Sequence, residues 1–278
     1  MTAMEERDGF PPRVPCWIDT QQPDREAALR FYSGLFGWSF QDHVPAGSRS
    51  YDIATLRGRD VAAIGSGPGS DSATWTTYIG VESADDAVRS AEQAGGAVVA
   101  PPFNAGYAGR LAMLTDPTGA AFSVWQPKRR KGAALVNELG TWNWSLLHTP
   151  DPERATAFYG AVFGWETDLD GDDGPKLVRR PGYADFLERF DPDLRRRHAE
   201  HGAPPGFSDA VAWIVPDDGA AHWAVTFSVA DADAVAAAAG RHGGAVIGAP
   251  FDTEWTREAV IADPGGATFT ASAFRPPT

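Results

Sequence analysis

The amino-acid sequence contains an internal repeat. Three pairs of segments match in the same order along the chain: FYSGLFGW and FYGAVFGW (residues 31–38 and 158–165), GGAVVAPPF and GGAVIGAPF (95–103 and 243–251), and DPTGAAF and DPGGATF (116–122 and 263–269). Because a fixed order of matching segments is the mark of a duplicated structural unit, the sequence predicts two homologous domains of about 120 residues each.

The boundary between the two repeats falls in a basic stretch. Residues 127–140 read PKRRKGAALVNELG, and a charge run of this kind is typical of a solvated linker. We therefore predict a first domain over residues 10–128, a linker over 129–139 and a second domain over 140–278. The length of 278 residues is enough for two domains.

The composition limits the classes of partner. The chain has 24 Lys and Arg against 37 Asp and Glu, for a formal net charge of −13, and such a surface repels phosphate backbones and anionic lipids. One cysteine, Cys16, excludes an internal disulfide. The start MTAMEERDGF is acidic, unlike a signal peptide. We expect a cytoplasmic monomer or homodimer that binds a small molecule and neither nucleic acid nor membrane.

The apolar pattern changes between helix and strand within each repeat. Asp24 is a predicted N-cap, an apolar stripe follows at helical spacing, and Gly37 is placed to end the helix in the left-handed conformation. Asp151 and Gly164 bound the matching helix of the second half. With the flanking strand-like runs, each half reads as two βαβββ modules. The predicted fold class is α+β, with two tandem domains that each form a curved mixed sheet.

The order of elements, the helix ending in FY-x-x-x-FGW and the last strand pair split by DP-x-GA resemble the vicinal oxygen chelate superfamily. This superfamily includes glyoxalase I, bleomycin-resistance proteins and extradiol dioxygenases. The resemblance extends from about Pro15 to Phe274, and is most specific to two-domain glyoxalase-like proteins of the actinobacterial hydroxylase or antigen type. It implies that paired modules curl a sheet into a cup around a small-molecule site.

The resemblance also implies positions for metal ligands. They fall on the following residues: Trp17 and Trp144 on the first strand of each half, Thr76 or Tyr78 and Ala224 or Thr226 on the fifth, and Ser123 and Thr270 on the last. Divalent metals in proteins need imidazole or carboxylate ligands, and none of these residues supplies one. We therefore predict a protein without a metal or other cofactor.

Aromatic residues occupy several of these positions, and the chain has ten tryptophans. Side chains alternate along a strand, so Trp142 and Trp144 are expected on the cup face of the second half, and Trp17 on that of the first. The repeat places Trp223 and Trp255 near the second cup. These indoles are predicted to stack on a flat ligand; alternatively, they fill the cups as core.

Three polar residues are predicted to carry acid–base chemistry without a metal. Asp19 shares a strand face with Trp17, and His148 ends the equivalent strand in the second half. Arg257, six residues before the DP turn, is expected to hold an oxyanion, and its counterpart Arg110 to bind ligand. The alternatives are a capping carboxylate, a histidine bonded to backbone and structural salt bridges.

The second half has an insertion at about residues 182–207. Its apolar stripe, which includes Phe186, and an N-cap at Asp191 predict two short helices that cover a ligand as a lid. A surface subdomain or a dimer contact is the alternative. His198 and His201 stand three apart, but the preceding arginines disfavour a cation there.

Two classes of function fit these features. In the first, the protein is a metal-independent isomerase, lyase or cyclase that acts on a small aromatic or carbonyl metabolite. In the second, it sequesters a planar antibiotic or toxin. Because the lid belongs to the second half alone, we expect Trp144 to contribute more to ligand binding than Trp17.

Overall fold

A computed structural model of the chain describes residues 9–42, 50–66, 73–169 and 174–275. Most of the acidic N-terminal segment, on which the expected cytoplasmic location depends in part, lies outside the described residues. No helix within the described part of the chain is long and apolar enough to cross a membrane.

The first half contains two βαβββ modules. Their elements are β1 (Pro15–Gln22), α1 (Arg25–Phe36), β2 (Ser39–Asp42), β3 (Tyr51–Leu56) and β4 (Arg59–Ser66), then β5 (Trp75–Gly80), α2 (Ala84–Gln93), β6 (Ala97–Ala105), β7 (Gly109–Thr115) and β8 (Ala121–Pro127).

The second half repeats this order and adds two helices. Its elements are β9 (Trp142–Thr149), α3 (Pro152–Phe163), β10 (Glu166–Thr167), β11 (Lys176–Arg179), α4 (Tyr183–Leu187), α5 (Leu194–Glu200), β12 (Ala210–Pro216), β13 (His222–Ser228), α6 (Ala232–Ala239), β14 (Ala245–Val246), β15 (Phe251–Asp252), β16 (Thr256–Ala262) and β17 (Thr268–Phe274). The predicted α+β class and the repeated module are confirmed.

The matching helices α1 and α3 begin and end in the same way. The side chain of Asp24 accepts a hydrogen bond from the amide of Ala27 at 3.0 Å, which satisfies one of the donors that a helix start leaves open. Gly37 ends α1 with a φ of 72°, a left-handed conformation that costs glycine little. Asp151 and Gly164 do the same for α3.

The strands form two mixed sheets, one from each half of the chain. In the first sheet β2-β3-β4-β1 are neighbours in this order, and so are β5-β8-β7-β6. In the second sheet the corresponding runs are β10-β11-β12-β9 and β13-β17-β16-β14, with β15 also pairing β16. In each module the first strand lies parallel to the last, as in β1 with β4 and β9 with β12.

The chain divides into two compact units, and each unit combines parts of both halves. Unit 1 comprises residues 1–16, 77–132 and 145–223, and unit 2 comprises 17–76, 133–144 and 224–278. Unit 1 thus holds the second and third modules, and unit 2 holds the first and fourth. The compact units do not coincide with the two sequence domains of 10–128 and 140–278. Those domains and their linker therefore remain a prediction from the repeat.

The core of unit 1 is built where α3 meets β8 and β13. The ring of Phe122 packs edge-on against Phe158, with centroids 6.1 Å apart. Tyr159 stacks on Trp165 at 5.3 Å, accepts a hydrogen bond from Trp223 Nε1 at 2.9 Å and donates one to the buried carboxylate of Asp116 at 3.1 Å. The hydroxyl of Tyr159 is therefore satisfied inside the core.

The core of unit 2 has the same design around α1. Tyr32 stacks on Trp38 at 5.2 Å, accepts a hydrogen bond from Trp75 Nε1 at 3.1 Å and donates one to Asp263 at 2.9 Å. Phe269 of β17 packs against this cluster. The repeat thus conserves a buried Trp–Tyr–Asp chain of hydrogen bonds in both units, which fixes each helix on its sheet.

Candidate functional site

One face of β9 and β12 in unit 1 is accessible while the other is buried. The register pairs Trp213 with Leu146 and Val215 with His148, so these four side chains share a face. Residues of the same strands that point the other way are buried in the core of unit 1: Leu147, Ala212 and Ile214. The four paired residues are all partly exposed, and we call them the open face.

His148 at the end of the open face is held by a carboxylate. Its Nδ1 lies 3.1 Å from Oδ2 of Asp217, and its ring stacks on that of His222 with centroids 4.8 Å apart. Because a carboxylate only accepts hydrogen bonds, Nδ1 carries the proton and Nε2 keeps its lone pair. Burial lowers the pKa of His148, the nearby His222 lowers it further, and the Asp217 contact partly opposes both. The lowered pKa favours the neutral imidazole of His148 near neutral pH.

Asp19 lies in a different environment. Tyr51 donates its hydroxyl proton to Oδ2 of Asp19 at 2.8 Å, and Trp17 Nε1 donates to the Tyr51 oxygen at 3.1 Å. Asp19 and Trp17 are 2% and 4% exposed. The aspartate is thus a buried acceptor in a chain of hydrogen bonds within unit 2. Its counterpart in the second half, Leu146, is accessible, so the two halves differ at this position.

The two matched arginines form ion pairs with the starts of helices. Arg110 contacts Asp85 in the first turn of α2 through two hydrogen bonds of 2.8 and 2.9 Å. Arg257 contacts Asp233 in the first turn of α6 in the same way, at 3.0 and 2.9 Å. These contacts match the structural salt bridges considered as the alternative to an oxyanion site, and they occupy both guanidinium groups.

The tryptophans predicted to bind ligand lie in three kinds of place. Trp223 was expected near the second cup, but its indole lies in the core of unit 1, bonded to Tyr159. Trp142 is 5% exposed, and its Nε1 has no hydrogen-bond partner within the described residues. Trp255, which directly precedes β16, stacks on Phe274 with centroids 6.5 Å apart. Trp144 is partly exposed on β9 and by alternation points away from the core.

The insertion forms two short helices, as predicted. Phe186 of α4 stacks on Tyr183, with centroids 6.2 Å apart, and the guanidinium of Arg189 lies 4.3 Å from the centre of its ring. The predicted N-cap at Asp191 is two residues too early, because α5 begins at Leu194 after Asp193. The carboxylate of Asp191 instead forms an ion pair with Arg197. The lid and interface roles both stay predictions.

The arginines of α5 are paired with acids. Arg195 contacts Asp185 and Glu188, and Arg196 contacts Asp193 and Glu200. Exposed pairs of this kind contribute little stability each, but they neutralise the basic run. The run is therefore a solvated helix face.

The positions at which the resemblance implies metal ligands carry unsuitable donors. The register of β5 with β8 places Tyr78 opposite Ser123, and that of β13 with β17 places Thr226 opposite Thr270. Hydroxyls and indoles are poor ligands for Zn²⁺ or Fe²⁺. Over the described ranges no group of three or more His, Cys, Asp or Glu side chains is placed to hold a metal ion. These residues do not fit the implied metal.

Unit 1 also contains a cavity that the sequence did not indicate. Its volume is about 300 Å³, and it is lined in part by Phe10, Cys16, Trp125 and Lys131. The Nε1 of Trp125 donates a hydrogen bond to the carbonyl of Arg130 at 3.0 Å. Burial raises the pKa of the Cys16 thiol strongly, so this cysteine is an unreactive apolar group.

Sequence reasoning missed three residues of the site: Trp213, Asp217 and His222. Trp213 lies in the apolar run AVAWIVP (210–216), which predicts a strand but does not indicate which of its side chains are accessible. Asp217 and His222 meet His148 only through the fold, and no local pattern indicates them.

Two family models match the chain. The model of the Glyoxalase/Bleomycin resistance protein/Dioxygenase superfamily matches residues 17–124, and that of the Glyoxalase-like domain matches residues 144–272. The two matches fall on the two repeats.

Relatives align over nearly the whole chain. The "Putative glyoxylase CFP32" of Mycobacterium tuberculosis (strain CDC 1551 / Oshkosh) is 40% identical over 274 residues, which cover 96% of this chain and 97% of the relative. The "Anthracycline biosynthesis protein DauV" of Streptomyces sp. (strain C5) is 34% identical over 281 residues, covering 96% of this chain and 95% of the relative.

Solved structures share the fold at low sequence identity. The Mn(II)-bound glyoxalase from Novosphingobium aromaticivorans has a TM-score of 0.61 at 15% identity, covering 94% of this chain and 82% of that one. The 2,3-dioxygenase LapB from Pseudomonas sp. KL28 has a TM-score of 0.58 at 14% identity, covering 97% of this chain and 94% of that one.

Proposed function

The chain belongs to the glyoxalase/bleomycin resistance protein/dioxygenase superfamily, and on this premise we propose that it binds a small planar aromatic or carbonyl metabolite on the open face. His148 then transfers a proton to or from the bound molecule, as in an isomerase, lyase or cyclase. The observation that carries the proposal is the neutral His148, oriented by Asp217 at 3.1 Å beside the accessible Trp213.

In this proposal the apolar residues of the open face bind the ligand, and His148 carries out the proton transfer. The indole of Trp213 and the side chains of Leu146 and Val215 offer apolar surface on which a flat ring excludes water. His148 accepts a proton at Nε2, and Asp217 stabilises the imidazolium that results. A relative named for anthracycline biosynthesis supports an aromatic metabolite as the ligand class.

Sequestration is the second candidate function. It is favoured by the apolar character of the open face, on which three of the four side chains carry no acid–base group. In that case the ligand binds on Trp213 and is released without chemical change. The two functions share a binding site and differ in the fate of the ligand.

A titration followed by mass analysis separates the two functions. The protein is titrated with a hydroxyanthraquinone, a planar probe with ring carbonyls, and its tryptophan fluorescence is recorded. The probe is then recovered and its mass and chromatographic behaviour are compared with a sample incubated without protein. An altered probe supports catalysis, an unchanged one supports sequestration, and absence of quenching contradicts both.

Trp213→Ala is expected to weaken binding of the hydroxyanthraquinone by about 1–3 kcal/mol, the scale of losing one aromatic stacking partner. The dissociation constants of the variant and the wild type are measured by calorimetry. Trp223→Phe is the control, because this indole lies in the core and should affect stability but not affinity. An equal loss of affinity in both variants would contradict the assignment of the open face.

The purified protein is expected to contain no stoichiometric divalent metal, because the implied ligand positions carry indoles and hydroxyls. Elemental analysis tests this directly. EDTA should leave the thermal midpoint unchanged, since no metal-binding energy contributes to the folded state. About one Zn, Fe, Mn or Ni ion per chain would refute the prediction.

A further inference from the structure

We propose that unit 2 carries a subsite for the ammonium group of an aromatic amine, formed by Glu258 and the hydroxyls of neighbouring strands. The subsite is argued from unit 2 alone and is independent of the proton transfer assigned to His148.

Strand pairing places four hydroxyls and Glu258 on one face. The parallel register of β13 with β17 pairs Thr226 with Thr270 and Ser228 with Ser272. The antiparallel register of β16 with β17 pairs Glu258 with Ser272. Residues that point to the other face of β16 and β17 are fully buried: Ala259, Ile261, Phe269 and Ala271. The four hydroxyl residues with Glu258 form what we call the hydroxyl face.

The carboxylate of Glu258 is fixed in position but not neutralised. Its Oε1 accepts hydrogen bonds from Thr256 Oγ1 at 2.8 Å and from Ser272 Oγ at 3.2 Å. Within the described residues Glu258 has no ion pair. The adjacent Arg257 points to the opposite face, where Asp233 and Asp252 hold its guanidinium. A partly exposed carboxylate therefore stands on the hydroxyl face without a countercharge.

An ammonium group is the complement of this arrangement. It offers three donors and no acceptor, while a carboxylate and serine or threonine oxygens all accept. Hydrogen bonds between ionised partners are the strong ones. The protein's net charge of −13 also raises the local concentration of cations and disfavours carboxylate ligands.

Trp144 supplies an aromatic surface in the same unit. Its strand β9 neighbours β13, and its partly exposed indole points away from the core, to the same side as Thr226. An indole attracts both flat rings and nearby cations. The ligand class is therefore an amine carried on a planar aromatic body.

The first half lacks this subsite. The repeat places Leu111, Trp125 and Tyr78 where the second half has Glu258, Ser272 and Thr226, and Leu111 pairs with Trp125 as Glu258 pairs with Ser272. These three side chains are 8%, 8% and 9% exposed. The second module thus carries apolar and aromatic side chains where the fourth module carries a carboxylate and two hydroxyls.

The test compares 2-naphthylmethylamine with its N-acetyl derivative, which has the same ring but no charge. Calorimetry on the full chain should show tighter binding of the amine. Glu258→Gln should weaken binding of the amine about 10- to 100-fold, the effect of losing a hydrogen bond to a charged group, and leave the N-acetyl derivative unchanged. Glu254→Gln, an exposed glutamate on the preceding turn, is the matched control and should have no effect.

Ser272→Ala removes one of the hydroxyls that hold Glu258 and should weaken amine binding by a smaller factor, which keeps the test valid if Glu258→Gln does not fold. Trp213→Ala and His148→Gln alter the open face and should leave the preference for the amine intact. The subsite can therefore be confirmed even if the open-face proposal fails, and the reverse also holds. Equal affinity of the wild type for both probes, absence of amine binding, or an unchanged preference in Glu258→Gln would overturn the subsite.

Discussion

Asp263→Ala is expected to lower the free energy of unfolding by about 3–5 kcal/mol, because it leaves several buried donors without an acceptor. Oδ1 of Asp263 accepts the amides of Gly265 and Ala267 at 2.9 and 2.8 Å. Oδ2 accepts hydrogen bonds from the hydroxyl of Tyr32 at 2.9 Å and from Nε2 of Gln22 at 2.6 Å. Urea unfolding, followed by tryptophan fluorescence and circular dichroism, measures the change.

The repeat provides a matched comparison for this prediction. Asp116 accepts from Thr118, Ala120 and Tyr159 in unit 1, so Asp116→Ala should destabilise to a similar extent. Asp218→Ala, in an exposed turn, serves as the control. If Asp263→Ala were no more destabilising than Asp218→Ala, the buried carboxylate would not fix α1 on its sheet.

His148→Gln is expected to reduce any turnover of the bound metabolite by about 10²–10⁴-fold, the usual contribution of a general acid or base. Binding of the hydroxyanthraquinone should change little, because the apolar residues of the open face remain. Single-turnover assays with the recovered substrate, together with calorimetry, separate the two effects. Unchanged turnover in this variant would remove His148 from the mechanism.

The pH profile gives a second readout. Burial lowers the pKa of His148, so the base form predominates above a value below the ordinary 6.5, and the rate should rise with pH through that value and then level off. Asp217→Asn removes a contact that raises this pKa. The acidic limb should therefore move to lower pH in that variant, and the rate on the plateau should fall because a neutral amide stabilises the imidazolium less than a carboxylate does. If the acidic limb of the Asp217→Asn profile stayed at the wild-type pH, the contact with Asp217 would not control the pKa of His148.

The local elements of this fold were predictable because their signals are local. Asp24 and Gly37 mark the ends of α1 by chemistry that acts within one helical turn, and the same holds for Asp151 and Gly164. The N-cap of α5 was predicted two residues early because Asp191 and Asp193 are equally suitable in sequence. In the structure Asp191 pairs with Arg197, and α5 begins after Asp193.

The site was less predictable because its contacts join distant segments. His148 was identified from its place on β9, but Asp217, 69 residues away, could not be connected with it from sequence. Trp223 and Arg257 were assigned to a ligand site on strand position alone. The fold gives each of them a structural partner, Tyr159 and Asp233, on a helix. Alternation predicts which residues share a face, but not which face a helix covers.

Each compact unit combines one module from the first repeat with one from the second, and this has a consequence for fragments and for half-length relatives of such a protein. Phe122 of the first repeat packs against Phe158 of the second, and Phe31 of the first against Phe269 of the second. A fragment ending in the linker would expose both aromatic surfaces and should not persist as a folded monomer. A protein with only one repeat would have to dimerise to form units of this kind. Fusion into one polypeptide removes that dependence on concentration, and leaves each copy of the module able to acquire its own side chains.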